Sequence, residues 1–333
     1  MKTKLLYPLC VVAALSLLFT AVAYSQEKKP EIKISEEEMK GLKAIEAIPD
    51  PAAKLKAMDD YVKKYPKTPL RLQLADTIAG DIAKMKDSTQ AIALGESART
   101  IFTTDEEQES IKGVLLDAYV QANRADDVFR IGSEILGKAP EDVHSHVQLT
   151  FAAANEVRKQ NPKFVQPGLT SGLKAIELIE ADKKPVKMEP TNWTKHKQLL
   201  PQLYQQVAVL NFVAGNVSDA RTKAVKASEL GPADPTNFAL LGMVINADYL
   251  KLANSYKSMP EGKDKDATLK KLEGLMDEVI DAYAHAVALS IGKPEHQAMM
   301  QQLTTDLTSY YKYRHSQSTE GLQQLIDKYK PKP

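Results

Sequence analysis

Apolar residues recur along this chain every three or four positions, in runs of helix length, with Gly, Pro and Asn breaks between the runs. That period marks amphipathic helices, and no stretch shows the sustained two-residue alternation of a strand. The pattern is cleanest over 200–245. There it predicts a helix over 203–214, a break at Gly215-Asn216, a second helix over 217–230 and a stop at Gly231-Pro232. A third helix opens at Asp234-Pro235, with Asp as N-cap and Pro at the first helical position.

The rest of the chain reads in the same way. Ser35 and Glu38 form a capping box for a helix to about Ile48. Asp50-Pro51 opens the next, with Leu55, Met58, Tyr61 and Val62 on one face, and Thr68-Pro69 opens a third. Helices over 70–86 and 89–102 pair. Thr104 and Glu107 cap a helix to Ala122, which pairs with 126–136, and Pro140 closes the unit. A long helix over 143–158, a loop holding Pro162 and Pro167, and a helix over 169–181 follow. Residues 182–192 (DKKPVKMEPTN) are the best place for a break between two lobes, 35–182 and 193–330. Beyond 200–245, the helix opened at Pro235 extends to about Tyr256, another covers 268–290, a third runs from Pro294 to Arg314, and a short one covers 319–329.

A repeat underlies this order. Tyr204, Val207 and Ala208 return 34 residues later as Phe238, Leu241 and Gly242, with Gly215, Ala220, Ala227 and Pro232 between them. Leu115 and Leu149 are also 34 apart, Ala91 and Ala98 hold small positions, and Tyr283 and Ala286 supply an aromatic and an Ala. This spacing resembles the tetratricopeptide repeat (TPR), a 34-residue helical hairpin with an aromatic, a Leu-Gly, a later Ala and a closing Pro. The likeness covers most of 70–329. Residues 65–69 (YPKTP) are similar to the inter-repeat junctions of exported bacterial TPR lipoproteins. The resemblance implies an all-α, TPR-like superhelical solenoid of about six antiparallel helix pairs, the first helix of each lining the concave side.

The first 23 residues change the picture of where the chain works. Lys2 and Lys4 precede an apolar run from Leu5 to Ala23 that ends in Ala21-Val22-Ala23. Positive start, apolar centre and small residues before a polar segment describe a secretory signal peptide cleaved after Ala23; the rival is an uncleaved membrane anchor, which Pro8 interrupts. Residues 24–34 read as a charged tether. The expected location is the periplasm or outer membrane of a bacterial envelope, or outside the cell, with no integral membrane span after cleavage. Cys10 is the sole cysteine. It lies in the leader, so no disulfide or Cys-based metal site is expected in the exported chain. The formal charge of +1 gives no general attraction to nucleic acid.

Candidate chemistry is sparse. The six histidines include His144-x-His146, but alternate residues on a helix point about 200° apart and do not share a metal. Ser171-Gly-Leu-Lys174 and Ser290-Ile-Gly-Lys293 match a Ser-x-x-Lys pattern without the partner motifs that acyl transfer needs. No HExxH, phosphate loop, GxGxxG or nucleophile elbow occurs, so no catalytic, cofactor or metal residue is assigned.

The TPR resemblance places groove positions on each first helix at repeat positions 2, 5, 9 and 12. These are His144, Val147, Phe151 and Ala154, then Gln202, Gln205, Val209 and Phe212, then Thr236, Ala239, Met243 and Asn246. Family members that clamp a carboxylate use Lys and Asn at such places, a pattern from which this chain departs in every unit that aligns. The groove expected is apolar in the middle (Phe151, Val209, Phe212, Met243) with an amide rim (Gln202, Gln205, Asn246), suited to an amphipathic or apolar protein segment. The function expected is a non-enzymatic scaffold or adaptor binding a protein or peptide partner in the cell envelope. The alternative is an envelope glycan or nutrient module using Tyr310, Tyr311, Tyr313 and Arg314, although Tyr at the end of a solenoid also serves to cap its core.

Overall fold

A computed structural model describes residues 34–186 and 188–331; the expected leader (1–23) and all but the last residue of the expected tether lie outside them. Among the described residues there are fifteen α-helices, one short 3-10 turn and no strand. Six hairpins stack in chain order: α1 (Glu36–Glu46) with α2 (Pro51–Lys64), α3 (Arg71–Ile82) with α4 (Ser88–Ile101), and α5 (Asp105–Gln121) with α6 (Ala125–Lys138). Then come α7 (Val143–Arg158) with α8 (Val165–Glu180), α10 (Leu200–Val213) with α11 (Val217–Leu230), and α12 (Pro235–Lys257) with α13 (Lys263–Ser290). The helix α9 (Pro190–Gln198) stands between the fourth and fifth hairpins, and α14 (Gln297–Arg314) and α15 (Leu322–Lys328) close the end. The protein is an all-α, TPR-like solenoid.

Local chemistry sets the boundaries. Both expected capping boxes form: Ser35 with Glu38 at α1, and Thr104 with Glu107 at α5. Asp50 and Asp234 cap α2 and α12, each followed by Pro. Several starts differ from the sequence reading, three of them with a local consequence. α3 begins at Arg71 rather than Thr68-Pro69, because the Thr68 hydroxyl accepts from the Leu70 amide and holds a turn before the helix. α8 begins at Val165, so Pro167 belongs to its first turn; the amide that Pro lacks has no intrahelical partner there anyway. α13 begins five residues early, at Lys263 rather than Thr268, which extends the last hairpin.

Small residues fix the spacing between hairpins. A Cβ on Gly95 of α4 would lie 2.7 Å from the Leu115 side chain of α5, and one on Gly132 of α6 would lie 2.8 Å from Leu149 of α7. The two leucines spaced by the repeat therefore fill the same kind of hole in successive units. Both are buried, and truncating either to Ala would cost about 2–5 kcal/mol.

The 182–192 stretch is spanned by packing. Trp193 of α9 is buried, donates its indole N–H to Asp182 at 2.8 Å, and shares one apolar cluster with Val143, Val147, Leu178, Leu203 and Leu210. Helices α7, α8, α9 and α10 thus meet in a common core across that segment.

Candidate functional site

The first helices α7, α10 and α12 carry the positions expected on the concave face. Asp76 of α3, Ser110 of α5 and His144 of α7 stand 34 residues apart. The Ser110 hydroxyl donates to Asp76 at 2.5 Å. His144 Nε2 lies 2.8 Å from Asp117, whose same oxygen accepts from the Gln148 amide at 2.7 Å. Burial alone would lower the His144 pKa, but the hydrogen bond and charge of Asp117, aided by Asp142, outweigh it and hold the imidazole above its usual 6.5. The His196 ring of α9 meets the His144 ring edge-on at 5.7 Å. A His–Asp pair needs a nucleophile to do acyl chemistry. The Ser110 hydroxyl is bonded to Asp76 instead. Among the described residues no group of three His, Cys, Asp or Glu could hold a metal.

The apolar middle is present in part. Phe151, Val209 and Phe212 are half-buried and Met243 is 40% exposed. Val209 and Phe212 rest on the cluster of Ala208, Ala220, Ala224, Leu240 and Val244. Two positions on the expected face do not line it: Val147 and Ala154 are buried. Val147 is drawn into the cluster that α7 forms with α8 and α10.

The amide rim divides. Gln202 is exposed, but the Gln205 amide is turned into the structure. It donates to the Thr236 hydroxyl at 2.6 Å and to Asn237 at 2.8 Å, and its own oxygen accepts from Gln206 at 3.0 Å. Gln206 in turn accepts from the Arg158 guanidinium at 2.8 Å, and Asn237 donates to the carbonyls of Ala227 and Gly231. One hydrogen-bonded chain therefore joins α7, α10 and α12. Sequence reading missed Arg158, Gln206 and Asn237, because none stands at a groove position of the repeat. A buried Gln and a buried Asn in otherwise apolar helix faces were the available signal.

At the C-terminal end the two expected ligand surfaces meet. The Asn246 amide donates to the Tyr310 hydroxyl at 3.1 Å, and the Tyr310 ring lies over Tyr283 at 6.2 Å. Tyr311 is buried and donates to the Glu320 carbonyl at 2.7 Å, the role of a capping residue. Arg314 is paired with Asp277 at 2.9 Å. Of the four candidates Tyr313 is the most open, 68% exposed, with its hydroxyl beside that of Tyr249.

Two open pockets border the concave positions. One of about 280 Å³ lies where α5 and α6 meet α7, with Phe151 in its wall. The other, about 460 Å³, lies between the start of α10 and the end of α11, beside Gln202. Among the described residues no helix is long and apolar enough to cross a membrane.

No protein-family model matches the chain, and no curated protein does. Solved structures similar to it include two IFIT1 monomeric mutants, one with m7Gppp-AAAA and one with Gppp-AAAA. Each is 14% identical at a TM-score of 0.39, over 84% of this chain. The chain spans about half, 55%, of those chains.

Proposed function

We propose that this protein is a non-enzymatic interaction scaffold of the bacterial cell envelope, exported by its leader, which holds a protein segment on the concave side of its helical hairpins. The observation that carries the reading is the row of Phe151, Val209, Phe212 and Met243. These apolar side chains come from three successive first helices and keep part of their surface in water, next to positions that are polar or charged. A solenoid that had no use for this face would cover or polarise it. The polar groups beside it are tied to one another, which suits a rigid docking surface better than proton transfer.

The glycan alternative has less support, since it would rest on Tyr313 with the half-buried Tyr310, while Tyr311 and Arg314 are engaged elsewhere. The test is capture of partners from envelope extract by the mature protein. Proteins retained by wild type and lost from Val209→Glu and Phe212→Glu, with helicity unchanged, support the scaffold. Partners indifferent to both changes, or saccharide retained through Tyr313, would defeat it.

A further inference from the structure

The pocket at the junction of α5, α6 and α7 has a definite chemistry. Its walls are apolar, from Val120, Val128 and Phe151. At about 280 Å³ it lies just below the roughly 300–1,000 Å³ range of small-molecule sites, and a cavity of about 150 Å³ already holds a benzene ring. One large apolar side chain fits it. Asn123 and Asn155 close one side, the Asn155 amide donating to Asn123 at 2.8 Å.

The charge at the rim is unbalanced. Glu156 of the pocket is neutralised by Lys159 at 2.7 Å and accepts from the Asn161 amide at 2.7 Å. Arg124 is neutralised by Asp127 at 2.6 Å. Arg158 has no such partner: among the described residues it forms no ion pair, and its one hydrogen bond goes to the neutral amide of Gln206. That bond matters, because Gln206 belongs to the amide chain running through Gln205 to Asn237. The guanidinium is thereby held in place at the mouth of an apolar hole with most of its donors unused. A preorganised Arg fork of this kind matches a carboxylate.

We propose that this pocket is a docking point for a partner segment carrying an apolar side chain beside an acidic one, the first filling the hole over Phe151 and the second pairing with Arg158. The proposal rests on the scaffold reading and names the chemistry of the segment that the concave side takes.

The test is selection of random displayed peptides on the immobilised mature chain, followed by fluorescence anisotropy with the best synthetic peptide. The expected peptides place Asp or Glu within a residue or two of Leu, Ile, Met or Phe. Arg158→Glu should weaken their binding about three- to tenfold, the scale of a partly exposed charge pair, and Arg158→Lys, which keeps the charge but loses the planar fork, should fall between wild type and Arg158→Glu. A fresh selection on Arg158→Glu should return Lys or Arg in place of the acid, a gain that misfolding cannot produce. Peptides without an acidic residue, or binding indifferent to Arg158→Glu but abolished by Val209→Glu, would overturn the pocket assignment and leave the scaffold standing. If no peptide is enriched, both fall.

Discussion

The side-chain amide of Asn246 on α12 donates to the hydroxyl of Tyr310 on α14 at 3.1 Å, while the Asn246 side-chain oxygen is buried without a partner. The last helices thus fold back on the final first helix and cover its end of the face. Tyr310→Phe would leave the whole carboxamide unpaired and should destabilise the C-terminal hairpin by about 1–3 kcal/mol in denaturant unfolding. Adding Asn246→Leu removes the orphan as well and should restore most of that loss. A double variant no better than the single one would refute this account of the pair.

Close approach of helices makes a second prediction. A Cβ on Gly242 would lie 2.4 Å from the buried Tyr283 ring, whereas one on Gly274 of α13 would meet nothing within 4 Å. Gly242→Ala should therefore cost about 1–3 kcal/mol through overpacking. Gly274→Ala, on an open helix surface, should stabilise by about 0.4–1 kcal/mol because it narrows the unfolded ensemble. Thermal unfolding of the two single variants checks the opposite signs.

Arg71 and Glu107 tie α3 to α5 through contacts of 2.6 and 3.2 Å, and Arg71 also donates to the Ile101 carbonyl at 2.8 Å. Glu107 is nearly inaccessible and at the same time closes the α5 capping box. Arg71→Met should cost about 3 kcal/mol by stranding the carboxylate, against less than about 0.5 kcal/mol for Lys63→Met at the exposed Lys63–Asp59 pair. Burial pushes the Glu107 carboxyl up, but the Arg71 and Thr104 hydrogen bonds bring it below its usual 4.5. Its contribution to stability is then present above that value and lost as pH falls through the folded pKa. Acid unfolding of wild type and Glu107→Gln should converge as pH drops.

His144 titrates with the opposite sign. Its folded pKa is raised by Asp117 and Asp142, so its contribution is full below 6.5 and disappears as pH rises through the folded value. The groups facing it are Asp117 and Gln148, Asp142 on its own helix, and His196 of α9. His285 opposes the trend, because burial lowers its pKa and its contribution is lost as pH falls. The comparison is therefore wild type against His144→Gln, whose stability difference should shrink as pH rises above 6.5. Titration of the His144 ring by NMR should give a midpoint above 6.5 that drops in Asp117→Asn. A midpoint unmoved by Asp117→Asn would remove the pair as the cause.

How much of this was legible beforehand depends on whether the cause lies nearby in the chain. The capping boxes at Ser35 and Thr104 and the breaks at Gly215 and Pro232 were readable because the groups that satisfy them sit within four residues. The repeat from Leu115 to Leu149 was readable because each leucine meets an equivalent hole. The inward turn of Gln205 was not, because its partners are on the next hairpin, 31 and 32 residues away. Nor was α9, a nine-residue polar helix whose one apolar anchor, Trp193, acquires its burial from α8 and α10.

By itself, then, the sequence determined the six helical hairpins and their pairing, since a 3.6-residue period and local caps act through near neighbours. The tertiary structure alone decided which groove positions stay open. Stacking buried Val147 and Ala154, tied Gln205 to Asn237, closed Asn246 under Tyr310 and left Arg158 at an apolar pocket without a carboxylate. Side chains distant in sequence compete for one surface there, and only three-dimensional packing settles which of them keep water.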